Sequence, residues 1–176
     1  KGVTLAEAYA KAGYDTAYIG KWHLDGHGRA SYIPPARRHG FDYWKVLECT
    51  HNYNRSFYYA ADSKTRLTWS GYDARAQTDD ARAYIRTRAS GAKPFILVLS
   101  FGPPHNPYQT APKKYRELYD SRKLKLRENV PVSAQRRARK DLAGYYAHVS
   151  ALDACVGDLL DTIDKAALAD NTIFVF

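Results

Sequence analysis

The sequence predicts an α/β domain with a mostly parallel sheet flanked by helices, and three observations carry that reading. Helix-like and strand-like stretches alternate along the chain, the order that right-handed βαβ crossovers produce. Phe95–Phe101 is an unbroken apolar run of strand length, suited to a central parallel strand covered on both faces. From about Ser133 to Lys165, apolar residues recur at three- and four-residue spacing, the pattern of a long amphipathic helix.

The elements follow in order. Thr4-Leu5-Ala6-Glu7 has capping-box spacing, Leu5, Ala8, Tyr9 and Ala12 supply an apolar stripe, and Gly13 is placed to stop a short helix. Thr16-Ala17-Tyr18-Ile19 reads as a short buried strand ending at Gly20, so that Lys21 and His23 emerge at its carboxyl end. From Asp25 to Gly71 the chain is rich in Gly, Pro, Tyr and Asn without a sustained period, which predicts an elaborated loop region with short strands at most. Its aromatic clusters, Phe41-Asp42-Tyr43-Trp44 and Phe57-Tyr58-Tyr59, argue that this region is packed. Thr78 is positioned to cap a helix running to about Arg88, with Ala81, Tyr84 and Ile85 inward, closed by Gly91 and Pro94. The long helix near the end would bury Leu142, Tyr145, Val149, Leu152, Val156, Leu159, Leu160 and Ile163, and Thr172–Phe176 reads as a last strand.

At 176 residues the chain suits one domain, and no apolar run approaches the roughly 20 residues that span a bilayer, so membrane insertion is not expected. Twenty-seven Lys and Arg against 18 acidic residues give a formal charge of +9, which favours anionic partners without selecting one. Much of the excess lies between Lys113 and Lys140 and reads as a solvated loop and helix face. Cys49 and Cys155 define no disulfide framework.

Two loops carry the chemistry: Gly20-Lys21-Trp22-His23-Leu24 and Pro103-Pro104-His105-Asn106-Pro107-Tyr108. Both follow strands, at the carboxyl ends where open α/β sheets gather their sites. Lys21 is a compact point charge suited to an oxyanion, and His23 can reach the same pocket if the chain turns there. Prolines 103, 104 and 107 restrict the backbone around His105 and aim its ring. Residue types alone also fit plainer roles: an exposed lysine, a packed histidine and a stiff turn.

The match to a known family adds what spacing leaves open. Gly13-Tyr14-Asp15-Thr16-Ala17-Tyr18-Ile19-Gly20-Lys21-Trp22-His23 resembles the second signature of the sulfatases, in the alkaline-phosphatase-like superfamily. Phe95–Tyr108 resembles that family's strand and His-x-Pro loop, and Tyr145–Phe176 its following helix and strand. The resemblance implies that residues 1–176 are the central part of a single sulfatase catalytic domain, truncated at both ends, with an incomplete alkaline-phosphatase-like core. It implies hydrolysis of a small-molecule or carbohydrate sulfate monoester through a formylglycine nucleophile and calcium, both supplied from outside these residues, in the periplasm or outside the cell. By motif position, Lys21 would contact the sulfate and the formylglycine, His23 the formylglycine hydroxyl, and His105 the ester oxygen, assisting leaving-group protonation. After Gly40-Phe41, Thr50 and His51 stand where some arylsulfatases place a Ser-His pair near the sulfate, which makes both candidate substrate contacts.

Departures matter as well. Neither Cys49-Thr50-His51-Asn52-Tyr53 nor Cys155-Val156-Gly157-Asp158-Leu159 has the proline and arginine of the formylglycine maturation motif. The resemblance implies that the family's metal-binding carboxylates would lie before Lys1 and after Phe176. Asp79-Asp80, which reads as the opening of a helix, is no substitute, so no metal ligands are expected in this chain and hydrolysis by these residues alone is not expected. A phosphodiester or phosphonate hydrolase of the same superfamily is the alternative enzyme, since tetrahedral sulfur and phosphorus oxyanions need similar donors. A polyanion-binding domain using Lys113–Lys140 is the alternative of another class, although no nucleic-acid motif accompanies that stretch and a nucleic-acid partner is not expected. A zinc site from His23 and His27 is disfavoured by Gly26 between them, and a Cys49 hydrolase has no local signature.

Overall fold

The computed structural model describes residues 2–91 and 93–176; Lys1, the first residue of the expected domain, lies outside them. Thr4 caps helix α1 (Leu5–Lys11) in a full capping box: its hydroxyl accepts from Glu7 N–H and Glu7 accepts from Thr4 N–H. Strand β1 (Asp15–Lys21) follows, longer at each end than its sequence pattern suggests. Three short strands come from the irregular region, β2 (Tyr43–Leu47), β3 (Phe57–Ala60) and β4 (Arg66–Thr68). Helix α2 (Asp73–Ala89), strand β5 (Phe95–Ser100), the short helix α3 (Lys113–Arg116) and the long helix α4 (Val132–Lys165) complete the order.

The strands form one sheet in the order β4-β3-β2-β1-β5. β1 pairs in parallel with both β2 and β5, while β3 and β4 extend the sheet as an antiparallel pair, so the sheet is mixed around a parallel centre. Successive residues of β1 feed opposite faces, as the twofold repeat of a strand requires. Ile19 packs with Ala81 and Ile85 of α2 and Leu159 and Ile163 of α4, and Tyr18 packs with Trp22, Ile33, Trp44 and Val46 on the other side. Arg38 ties the loop before β2 to that second layer. Its buried guanidinium lies over the Trp44 ring and donates to Ile33 O, Ala61 O and the Asp62 carboxylate.

Several elements differ from their sequence patterns for identifiable reasons. α2 begins five residues before Thr78, whose hydroxyl bonds back to Ala74 O inside the helix instead of capping it. Asp79 and Asp80 therefore sit within the helix, Asp79 paired with Arg75 and Arg82, Asp80 with Lys45. β5 pairs with β1 alone among the described residues and is half-buried along its length, an edge strand rather than a central one. Thr172–Phe176 joins no ladder, and Ile173 and Phe176 stand 91% and 94% exposed. α4 buries Gly144, Ala147, His148, Ala151, Leu152, Cys155, Leu159, Thr162 and Ile163, a smaller-residue face than the pattern of large side chains, and Tyr145, Val149 and Leu160 face outward.

At Gly20 the backbone has φ 112°, and a Cβ there would lie 2.1 Å from Ser100 O on β5. Gly26 is also at positive φ, with nothing within 4 Å of the corresponding point. Gly20→Ala should therefore lower unfolding free energy by about 3 kcal/mol, combining positive-φ strain and overpacking. Gly26→Ala should cost only about 1 kcal/mol. Urea unfolding of the two variants checks this; equal losses would contradict the close approach of β1 to β5.

Candidate functional site

Parallel pairing puts the carboxyl ends of β1, β2 and β5 at one edge of the sheet, and all five candidate residues arise there. Beyond β1, Trp22 N–H and His23 N–H continue bonding to Leu47 O and Glu48 O, so the chain stays tied to β2 until His23. His23 then takes φ 57°, and the turn leaves its ring exposed. Lys21 is half-buried on the α2 side, opposite the buried Trp22. Among the described residues its ammonium has no ion-pair partner. Asp25, four residues on, is tied into the following loop: its carboxylate accepts from Arg37, and its N–H donates to buried Glu48.

The β2 end contributes Thr50 and His51. Thr50 Oγ1 accepts from Asn52 N–H at 3.1 Å, which closes a tight turn and leaves the hydroxyl proton available to a ligand. That turn presents the His51 ring to His105, stacked at 4.4 Å between centroids with planes 26° apart. Arg29 reaches in from the preceding loop, its guanidinium 3.3 Å from the His51 ring nitrogens and 3.5 Å from Cys49 Sγ.

The β5 end contributes His105, on a loop whose peptide bonds before Pro104 and Pro107 are cis. Tyr53, fully buried, donates its hydroxyl to Asn106 O at 2.9 Å, and Asn54 Nδ2 donates to Thr110 O at 3.0 Å. From the other side α4 holds the same loop: Tyr72 O–H lies 2.8 Å from His148 Nδ1, and His148 Nε2 is 3.2 Å from Thr110 Oγ1. Gly144 lets α4 come this near, since a Cβ there would stand 2.4 Å from Tyr108 O. The stiffness implied by the prolines is thus supplemented by a two-sided clamp. His105 itself is exposed, its Nδ1 3.0 Å from Asn106 O.

Electrostatics tie the loops together. His51 is held below the usual histidine range, first by desolvation and then by repulsion from His105, Arg29, Lys21 and His23. Five cationic or imidazole groups from three loops therefore share one region, and a tetrahedral anion brought among them would meet donors on several sides. His148, buried in the clamp, is also held low by desolvation and stays a neutral hydrogen-bonding group.

The residues present do not fit a metal: among the described residues no three His, Cys, Asp or Glu side chains gather closely enough to hold one. Arg29, Tyr53, His148 and Asp73 belong to the site or its support without any sequence signal; each is a lone residue whose partners lie far along the chain. Asp73 opens α2 beneath Lys21.

The sulfatase family model matches residues 1–176. The chain belongs to the sulfatase family. Similar curated sulfatases include an ulvan-active sulfatase of Formosa agariphila, 45% identical over 172 residues, covering 98% of this chain and 34% of that protein. An endo-4-O-sulfatase of Bacteroides thetaiotaomicron is 25% identical over 200 residues, covering 98% of this chain and 38% of that protein. Among solved structures, a putative sulfatase from Bacteroides fragilis superposes with a TM-score of 0.87 at 28% identity, over 95% of this chain and 41% of that one. The chain thus spans between a third and about two fifths of the lengths of these sulfatases. Among the described residues no helix is long and apolar enough to cross a membrane.

The charge environment of His51 can be measured directly. Its ring should titrate below the free-histidine range in a ¹⁵N-resolved NMR titration, and His105→Ala should raise the midpoint by removing a like charge. An unchanged midpoint would separate the two rings in solution.

Proposed function

We propose that the full-length protein hydrolyses a sulfate monoester of a carbohydrate, with Lys21, His23, Thr50, His51 and His105 forming part of its anion pocket. The observation that carries this reading is the gathering of these groups at one sheet edge in a sulfatase-family chain. The carbohydrate class is supported by the names of relatives, one ulvan-active and one an endo-4-O-sulfatase. Formylglycine and calcium, implied by the family resemblance, would have to come from residues outside this stretch. Cys49 and Cys155 are buried and lack the maturation motif, and the described residues hold no metal-binding group.

The chemistry assignable to these residues is recognition and proton handling. Lys21 offers a point charge to a sulfate oxygen, and Thr50 a hydroxyl donor. His105, exposed at the rim and aimed by the clamped loop, is placed to protonate the departing alcohol oxygen, where negative charge grows as the S–O bond breaks. His51, held toward its neutral form, gives His105 a flat surface without adding a further full positive charge. His23, on its left-handed turn, offers a hydrogen bond to the attacking group.

In the full-length protein, Lys21→Ala, His23→Ala and His105→Ala should each lower turnover of a sulfated oligosaccharide about 100- to 1000-fold, the usual loss of a transition-state donor. Thermal unfolding of each variant should match that of the parent. Assays on matched aryl sulfate and phosphate diester substrates separate the two ester classes. Phosphate preference by orders of magnitude, or near-normal turnover in His105→Ala, would contradict the assignment.

A further inference from the structure

Beneath Lys21 lies a cavity of about 10 Å³, walled by Lys21, Thr50, Ser56, Asp73, Gln77 and Gly102 among others. Three of those side chains carry buried polar atoms with no hydrogen-bond partner: Ser56 Oγ, Asp73 Oδ1 and Gln77 Oε1. The residues are 2%, 1% and 4% exposed, so the three atoms are sealed by this chain itself and further polypeptide docking on its surface could not reach them. Orphaned buried oxygens are costly, and three around one void favour a polar occupant. The volume accommodates a single water molecule.

We propose that this cavity holds one resident water, bonded to Asp73, Gln77 and Ser56, and that this set positions Lys21 and Thr50 under the anion pocket. A water suits the donor set because it can donate to Gln77 Oε1 and either donate to or accept from the carboxyl and the hydroxyl. A cation would stand against the lysine that walls the same void. Burial pushes the Asp73 carboxyl up to about 7, and the Ala74 N–H and the Ser56 hydroxyl, which stands close to the carboxyl but outside hydrogen-bond geometry, hold back part of the rise. Tyr53 and Tyr72 face it from the preceding segment and Lys21 from β1. The carboxyl thus changes between donor and acceptor near neutrality, and a water bridging it can adjust while leaving the lysine in place. Asp73 and Gln77 are positioning residues in this scheme, acting on the sulfate through Lys21 and resting on the role proposed for it.

Two measurements on the full-length protein test the inference. A crystal structure at a resolution that places waters should show one within hydrogen-bond distance of Asp73 Oδ1 and Gln77 Oε1. A dry cavity, or Ser56, Asp73 and Gln77 bonded only to one another, would overturn it. Kinetically, Asp73→Asn and Gln77→Leu should each lower kcat on a sulfate ester about tenfold, and Asp73→Asn should remove an ionisation near pH 7 from the kcat profile. A variant with kcat within twofold of the parent and a superimposable pH profile would overturn the positioning role.

The fold itself provides a control. The folded state holds the Asp73 proton more tightly than the unfolded chain, so stability should fall as pH rises from about 4 to about 7. Asp73→Asn should lack that part of the fall while remaining folded; an unchanged pH dependence of stability would contradict the buried carboxyl. If the parent protein showed no sulfatase activity, the reading of Lys21 would fail while the crystallographic result would still decide the water.

Discussion

Parallel pairing of β1 with β2 on one side and β5 on the other is the constraint on which the pocket depends. Parallel strands end at the same edge, so Lys21, the last residue of β1, and Thr50 and His105, on the loops after β2 and β5, emerge together. The pairing has a steric requirement at Gly20, where the backbones of β1 and β5 come too close to admit a side chain and Gln77 of α2 closes the space from below. The lysine is therefore delivered by a strand end that can hardly shift, with its ammonium free of carboxylate partners among the described residues. The carboxylates of Asp25 and Glu48 hold the following loop, through Arg37 and the Asp25 N–H.

The β5 side needs more support, because the chain leaves the sheet there and His105 is exposed. The fold supplies it from a distance. Tyr53 and Asn54 hold the loop from the β2–β3 connection, and α4 holds it through Gly144 and His148. His148 is kept neutral by burial, so it can bridge Tyr72 and Thr110 as a hydrogen-bonding group without placing another charge near the cationic cluster. The long helix thus links the two sides of the molecule: Leu159 and Ile163 pack on the sheet and α2, and its earlier turns clamp the loop that carries a candidate acid. Packing and presentation of the site are functions of the same helix.

Much of this was legible in the residues, and the failures share a cause. α1 is readable because both halves of its cap are local, β1 because a short apolar stretch is stopped at Gly20, and α4 because its apolar spacing is sustained over many turns. The start of α2 was misplaced because threonine serves equally as an N-cap and as an interior residue bonding back to the i−4 carbonyl, and local sequence does not separate the two. The edge position of β5 and the missing ladder at Thr172–Phe176 depend on which strands lie alongside, which is a property of the sheet and not of the run. Motifs single out Lys21, His23 and His105 as candidates, whereas none marks His148 or Asp73. His148 reads as one polar residue on a helix whose partners are 76 and 38 positions away, and Asp73 as an ordinary acid near a helix start. Their roles exist only in the folded contacts.

The central claim, that one anion is bound by the strand-end loops, is tested most directly by a crystal structure of the full-length protein soaked with a non-hydrolysed sulfate ester. The sulfate oxygens should lie within hydrogen-bond distance of Lys21 and His105, above the Asp73 cavity. Sulfate bound along the basic Lys113–Lys140 stretch, with Lys21 and His105 making no contact to it, would contradict the account.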